Sequence, residues 1–485
     1  MNALEKHFNP FRENTIGSDT VFNTPYGNKR MIYADWVASG RLYKPIEERI
    51  TNVFGPYVAN THTETSETGT LMTKAYHYAH ERIKQHVNAG PNDVIITAGS
   101  GMTTVINKML RIMGLKNCGM VQNSDKPVVF ITHMEHHSNH TSWFEANVDV
   151  VVLKPNDELL VDLNELRTQL EKYKGRSFKI GSFTACSNVT GIETPYHDMA
   201  RIMHEYGGIA FVDFAASAPY VDIDMHPADD EMKKLDAIFF SPHKFLGGPG
   251  SSGVLIFDRS LYNSEIPDNP GGGTVDWTNP WGEYKYIDDI EVREDGGTPG
   301  FLQAIKSALA IEVKNQMQTD LIRKREHELV KKAFTELRRV DGVKILADNV
   351  ENRLGVLSFY IEGVHFNLVV KLLNDRFGIQ VRGGCACAGT YGHFLLNVSY
   401  EKSKEITDLI NHGDLSQKPG WIRASLHPTM TDEELDILLE GISAIAKNHK
   451  EWAKDYVYNK QTNEFRHKNE TEDKVVNVIP WFKLD

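Results

Sequence analysis

Cysteine is scarce in this chain and long apolar runs are missing, and each shortage rules something out. Four cysteines in 485 residues cannot build a disulfide framework. Cys118 and Cys186 stand alone, and Cys385 and Cys387 are too close in sequence to bridge easily. A reducing, cytoplasmic setting fits that usage. No stretch approaches the roughly twenty apolar residues of a membrane span, and Met1–Arg12 lacks the basic start and apolar run of a secretory signal. Positive charge is also in deficit. With 53 Lys and Arg against 65 Asp and Glu, the net charge is −12, which argues against nucleic acid as a partner, because a duplex-binding surface needs a basic face. The basic residues fall on helical stretches such as Ile322–Arg339, beside Glu326, Glu328 and Glu336, as on solvated helix faces.

What is present is an ordinary globular composition, 41% hydrophobic and 24% charged, in a chain long enough for two or three packed units. From about Tyr33 to Asp258, short apolar runs alternate with longer amphipathic stretches, which predicts an α/β fold with a mostly parallel sheet. The expected strands are Val94–Thr97, Val128–Thr132, Val150–Leu153, Ile180–Thr184, Ile209–Asp213, Ala237–Ser241 and Gly253–Phe257. Helices are expected over Thr103–Met113, Asn164–Lys172 and Tyr196–Tyr206. The Gly-, Pro- and Trp-rich run Pro267–Trp281 reads as a loop. A helix over Phe301–Val340, bent or broken once, would carry the chain into a smaller α+β domain with strands Gly355–Ile361, Ile379–Arg382 and Trp421–Ser425 and helices Phe366–Arg376 and Asp432–Asp455. The expected division is an N-terminal arm (1–30), a large domain (31–298), a small domain (299–460) and a tail (461–485). Residues 389–420 read as a long loop, a kind of segment that is usually functional or mobile.

Polar and glycine-rich clusters fall where the strands end, and ligands of an open parallel sheet sit at the strands' carboxyl ends. Ala98–Thr104 places Gly99 and Gly101 between a strand and a helix, either to admit an anion to the helix start or as a plain turn. Glu135-His136-His137-Ser138-Asn139-His140 has three readings: metal ligands, with His136 and His140 on one helix face, packed histidines, or a ring-stacking role. Asp213 ends an apolar strand, where it either pairs with a protonated ring nitrogen or caps a helix. Lys244, in Ser241–Gly250, follows a buried strand; desolvation there lowers an amine's pKa, although a snorkelling surface lysine has the same surroundings. Arg382, in Val381–Gly389, and Arg423 each offer a planar fork suited to a carboxylate. Cys385 and Cys387 sit in a glycine-rich loop, exposed enough to react. Read as half a zinc site they need two more ligands, and Cys118 and Cys186 lack the spacing.

In this order the clusters resemble the class V aminotransferase group of fold-type I pyridoxal-phosphate (PLP) enzymes, above all cysteine desulfurases and selenocysteine lyases. The likeness runs from about Tyr33 to Leu438. Glu135–Asn139 (E-H-H-x-N), Ser187–Gly191 (S-N-V-T-G), Ser241–Gly250 (S-x-H-K-F-x-G-x-x-G), Gly297–Pro299 (G-T-P) and Arg423–Leu426 (R-A-S-L) carry it. The resemblance implies a seven-stranded, mostly parallel sheet in the large domain and a homodimer. It makes Lys244 the Schiff-base lysine and proton shuttle, sets His136 on the cofactor ring, Asp213 at the ring nitrogen and Asn188 at the ring hydroxyl. Met102, Thr103, Ser241 and His243 would hold the phosphate, and Thr298 would reach the phosphate of the neighbouring subunit. Arg382 would read the substrate carboxylate with Arg423 in support.

Cys387 falls where desulfurases place their nucleophile. The implied reaction is L-cysteine to L-alanine with a cysteine persulfide, passed on to a sulfur-acceptor protein. Two departures stand against this. Ala216 occupies a position that is often glutamine, and Gly-Cys-Ala-Cys replaces the usual Gly-His-His-Cys, so that Cys385, Cys387 or neither is the reactive thiol. The alternative is an aminotransferase, epimerase or lyase that uses no cysteine.

Overall fold

The computed structural model describes residues 2–61, 63–116, 126–470 and 478–484; Cys118 lies outside them. Seven strands form the central sheet: β1 (Asp93–Ala98), β2 (Val128–Ile131), β3 (Asp149–Val152), β4 (Lys179–Thr184), β5 (Ile209–Asp213), β6 (Ala237–Phe240) and β7 (Gly253–Asp258). Their spatial order is β1-β7-β6-β5-β4-β2-β3, parallel except for β7, which runs antiparallel to both neighbours. The expected strands are all found, within about a residue at their ends. Alternate residues feed two separate cores. Ile95, Phe130, Val212 and Ile238 pack on one face, while Ile96, Ile131, Phe211 and Phe239 pack on the other. This double burial is why the strands read as continuous apolar runs. Because two antiparallel steps restore direction, β1 and β6 end on the same side of the sheet with β7 between them, and the Gly99–Gly101 turn comes to lie next to the loop that bears Lys244.

The small domain is a four-stranded antiparallel sheet, ordered Val343–Ile345, Val356–Ile361, Trp421–Ser425, Arg382–Gly384. Helices Phe366–Leu372 and Asp432–Trp452 close its core, with Leu357, Val369, Ile422, Leu435 and Ile442 fully buried between them. The N-terminal segment also joins this domain: Ile32–Tyr33 pairs in parallel with Ile379–Gln380, and Ile32 and Ala34 sit in the small-domain core.

Four segments depart from the reading of the sequence. The long helix is broken once, as expected, at Gln318 with φ 63°, into Phe301–Met317 and Thr319–Leu337, and the departure is in where it leads. The first does not carry the chain out of the large domain, because Ala310, Ile311 and Met317 are buried in that domain's core. The expected loop around Trp281 contains a hairpin, Val275–Thr278 with Tyr284–Tyr286. Residues 389–420 are largely helical, Gly389–Leu395 and Tyr400–Asn411, anchored by fully buried Tyr391. A hairpin, Tyr456–Asn459 with Glu464–His467, runs across the place where the tail was expected to begin.

Candidate active site

A cleft of about 370 Å³ opens at the carboxyl ends of the parallel strands. It is lined by Met102, Thr103, His136, Asn188, Asp213, Ser241, His243 and Lys244 from the large domain, and by Arg382, Cys387 and Arg423 from the small one. Of the residues to which the resemblance gives a cofactor, substrate or nucleophile role, all line this cleft except Thr298, which is exposed, outside the cleft, and accepts from Asn60 Nδ2 at 3.4 Å.

Local chemistry explains each position. After β6, Pro242 cannot donate to the sheet ladder, so the strand ends and a short 3-10 turn, Pro242–Lys244, begins. The chain then doubles back so tightly that a Cβ on Gly248 would lie 1.8 Å from the Pro242 carbonyl oxygen. Lys244 is thereby held at the cleft. Burial lowers its amine to about 8 against the partial restoring effect of the Asp213 carboxylate. Asp213 is buried at the last residue of β5; one oxygen accepts from Ala215 N–H at 2.8 Å, a local turn rather than a helix cap. Burial raises its carboxyl to about 6, opposed by that hydrogen bond and by Lys244.

The E-H-H-x-N string divides into frame and contents. Glu135 is buried; its Oε1 accepts from Thr132 N–H, Thr132 Oγ1 and Thr184 N–H, and its Oε2 from Asn139 Nδ2 at 2.7 Å. Glu135 and Asn139 thus lock the loop after β2 onto β4. His136 is the N-cap of helix His137–Phe144 and does not share its face with His140, which lies edge-on to Phe144. Burial, then the neighbouring Lys244, push His136 down to about 3, so its ring is neutral. At the start of helix Met102–Ile112, Ser241 Oγ accepts from Met102 N–H at 2.8 Å and Thr103 Oγ1 meets Ser138 Oγ at 2.6 Å. His243 beside them is pushed down to about 4 by burial and Lys244.

The opposite wall carries the two arginines on adjacent strands, and the register sets Arg382 directly across from Arg423. Like charges so placed repel. Asp35 resolves the conflict: its Oδ1 accepts from Arg423 Nη2 at 3.0 Å and its Oδ2 from Arg382 Nε at 3.1 Å. Asp35 is held there through the preceding residue, Ala34, whose N–H donates to Gln380 O and whose carbonyl accepts from Ser425 N–H. Arg423 is buried and donates also to Asn188 O at 3.1 Å. Arg382 is half-exposed, so its fork faces the cleft with only Nε engaged. Nothing in the sequence singled out Asp35. The available signal was indirect, since two arginines meant for one site need a counter-ion.

The cysteines separate. Cys387 is exposed and lines the cleft, while Cys385 does not line it and packs beside a cluster that holds Met134, Tyr391 and Trp421. Cys186 is buried, and burial pushes its thiol up.

The chain matches the Aminotransferase class-V family over residues 32–438. It belongs to that family. A probable cysteine desulfurase of Halalkalibacterium halodurans is 30% identical over 378 residues, covering 76% of this chain and 86% of its own. One of Staphylococcus aureus is 29% identical over 407 residues, covering 81% and 93%. Among solved structures, a cysteine desulfurase of Thermococcus onnurineus superposes with a TM-score of 0.70 at 24% identity, over 86% of this chain and 95% of the other. That of a cysteine desulfurase from Escherichia coli is 0.66 at 22% identity, over 86% and 94%. The fold is that of the fold-type I PLP enzymes, and the protein is a PLP-dependent enzyme of the class-V family. The residues at the cleft fit this cofactor. Asn188 Oδ1 is buried without a hydrogen-bond partner, a buried carboxylate and a neutral imidazole face the space, and a helix N-terminus with two hydroxyls offers donors to a phosphate. Among the described residues no helix is long and apolar enough to cross a membrane.

Proposed function

We propose that the protein is a cysteine desulfurase, converting L-cysteine to L-alanine and leaving a persulfide on Cys387. The observation that carries the reading is one cleft shared by an accessible thiol, a depressed lysine, a buried carboxylate and a tethered pair of arginines. PLP, when bound, supplies an aldehyde for the amino acid's nitrogen and a pyridinium ring that accepts electron density from Cα.

On this reading Lys244 is the residue that holds the cofactor, and Asp213 keeps the ring nitrogen protonated from the end of β5. His136 stacks on the ring, its imidazole neutral and apolar enough to do so. Asn188 offers its unpartnered Oδ1 to the ring hydroxyl. Thr103, Ser241, His243 and the N-terminus at Met102 hold the phosphate. Thr298, exposed and away from this cleft, serves the phosphate of a second copy in a homodimer. Arg382 takes the substrate carboxylate with its free fork, steadied through Asp35 by Arg423.

The protein groups then act in sequence. The neutral amine of Lys244 removes the Cα proton. The Cys387 thiolate attacks the substrate sulfur; the new S–S bond forms as the Cβ–S bond breaks, with its electron pair going to carbon. Cβ takes up the proton that the Cys387 thiol gave up, and Lys244 returns its proton to Cα, giving alanine. Both sulfurs are oxidised and the carbon is reduced, so no outside oxidant is needed. Cys387 is exposed, so the persulfide sulfur can pass to an acceptor protein, and the thiol requirement favours a reducing, cytoplasmic setting.

The alternative, an aminotransferase, epimerase or lyase without thiol chemistry, draws on Ala216 at the cleft, where no glutamine reaches the ring. Substitution separates the two. With L-cysteine as substrate, Cys387→Ala should lower sulfide and alanine formation by at least about 10²-fold, the scale of a lost nucleophile or proton-transfer group. Cys385→Ala should leave both unchanged. Sulfide release that survives Cys387→Ala would overturn the proposal.

A further inference from the structure

The thiol sits in a backbone conformation that its own sequence does not favour. Ala386 and Cys387 both have positive φ, 49° and 56°, in the left-handed region that penalises residues with a Cβ. Two such residues in succession need support from outside the turn. The support comes from the large domain across the cleft. Asn188 Nδ2 donates to Ala386 O at 2.7 Å, and His137 N–H donates to Cys387 O at 2.7 Å. The imidazole of His137 then makes a third contact, its Nε2 accepting from Gly389 N–H at 3.0 Å. A Cβ at position 389 would come within 3.3 Å of that nitrogen, so glycine lets the ring approach. His137 therefore grips the thiol segment at Cys387 itself by main chain and two residues later by ring, while Asn188 holds the preceding residue.

Nε2 accepts only when it carries no proton. Burial and the Lys418 ammonium hold His137 below the ordinary histidine range, and its remaining ring neighbours, His136 and His140, are themselves held low by burial. The Gly389 N–H contact and these surroundings both favour the neutral ring.

We propose that His137 is a positioning residue for Cys387, its ring fixing the turn 387–389 so that the sulfur is presented to the cleft. The proposal rests on the desulfurase reading for its purpose. It goes beyond that reading in assigning the second histidine of the string to the thiol rather than to the cofactor.

Two variants of the holoenzyme test it. His137→Gln keeps an acceptor at the reach of Nε2, and His137→Leu keeps bulk without one. Each is assayed for alanine formation from L-cysteine and, independently, for the rate at which iodoacetamide alkylates Cys387, scored by peptide mass. Loss of the acceptor should lower kcat by roughly tenfold with KM within about twofold, because substrate binding does not use this contact. Alkylation of Cys387 should quicken by about threefold or more as the turn loosens. The glutamine variant should stay within about twofold of the parent in both measurements, an acceptor being restored. If leucine and glutamine behave alike, either both as the parent or both equally impaired, the ring is packing only and the proposal falls. If His137→Leu does not fold, His137→Met takes its place in the same comparison. A parent enzyme that releases no sulfur from cysteine would sink the desulfurase reading, whereas the alkylation rates would still decide the clamp.

Discussion

The two walls of the cleft are built on different principles. On the large-domain wall, Asp213 is fixed by register at the end of a strand buried on both faces, and Asn188, Ser241 and Lys244 lie just beyond the ends of two more such strands. On the small-domain wall, Arg382 and Cys387 stand on a short edge strand and the turn after it. Their side chains and backbone are held by contacts borrowed from elsewhere: Asp35 from the N-terminal segment, Asn188 and His137 from across the cleft. A rigid wall suits groups that tune a cofactor, where a displacement of an ångström is costly. A tethered wall suits groups that meet a substrate and then release a product, since its anchors can loosen without disturbing the sheet.

If that division is right, damage to the two walls should be told apart by kinetics. The largest effect is expected on the rigid wall. Asp213→Asn removes the negative charge at the end of β5 while keeping its shape. On the proposed reading kcat should fall by roughly 10²–10³-fold, the scale of lost preorganised electrostatics, with KM for cysteine little changed. The cofactor's visible band should shift, because the ring nitrogen loses its proton. A normal kcat in Asp213→Asn would break the comparison at its first term.

On the tethered wall the expected change is in binding. Asp35→Asn frees the two arginines from their shared carboxylate and restores the repulsion between cross-strand partners. KM for cysteine should rise by roughly tenfold, equal to ~1.4 kcal/mol of binding, with kcat within about threefold. Titration of the visible band with L-alanine, which turns over no sulfur, should show the same weakening. A fall in kcat without a change in KM would place Asp35 with the rigid wall instead.

The same division explains what the sequence disclosed. The large-domain strands were legible because double burial writes an unbroken apolar run, and the motifs that follow them were legible because a strand end leaves its polar residues adjacent in the chain. Asp35 was not, because its partners are 347 and 388 residues away and a lone aspartate has no periodicity. The helices within 389–420 were hidden for another reason. Gly389–Leu395 is seven residues long, too short to show a helical repeat, and its stability comes from burying Tyr391 against the thiol segment's neighbours. The one break expected in the long helix is found, but the apolar pattern did not place it at Gln318.

The smallest expected effect tests the rigid wall without altering it. Only a neutral amine adds to an aldehyde, so the rate at which apoprotein takes up PLP follows the deprotonated fraction of Lys244. Burial places that amine near 8, below the ordinary lysine value of 10.5, with Asp213 keeping it from falling further. The sign is fixed: uptake quickens as pH rises, because the group loses its proton, and it levels once pH passes the lowered value. Between pH 7.5 and 9 the gain should be about fourfold, whereas a lysine of ordinary basicity would give about thirtyfold over the same interval. Growth of the visible band on mixing measures the rate, a model amine under the same conditions corrects for the cofactor's own ionisation, and borohydride with peptide mapping identifies the lysine. A thirtyfold rise, or a label away from Lys244, would mean that the strand-end wall does not desolvate its amine, and the contrast between the two walls would lose its physical basis.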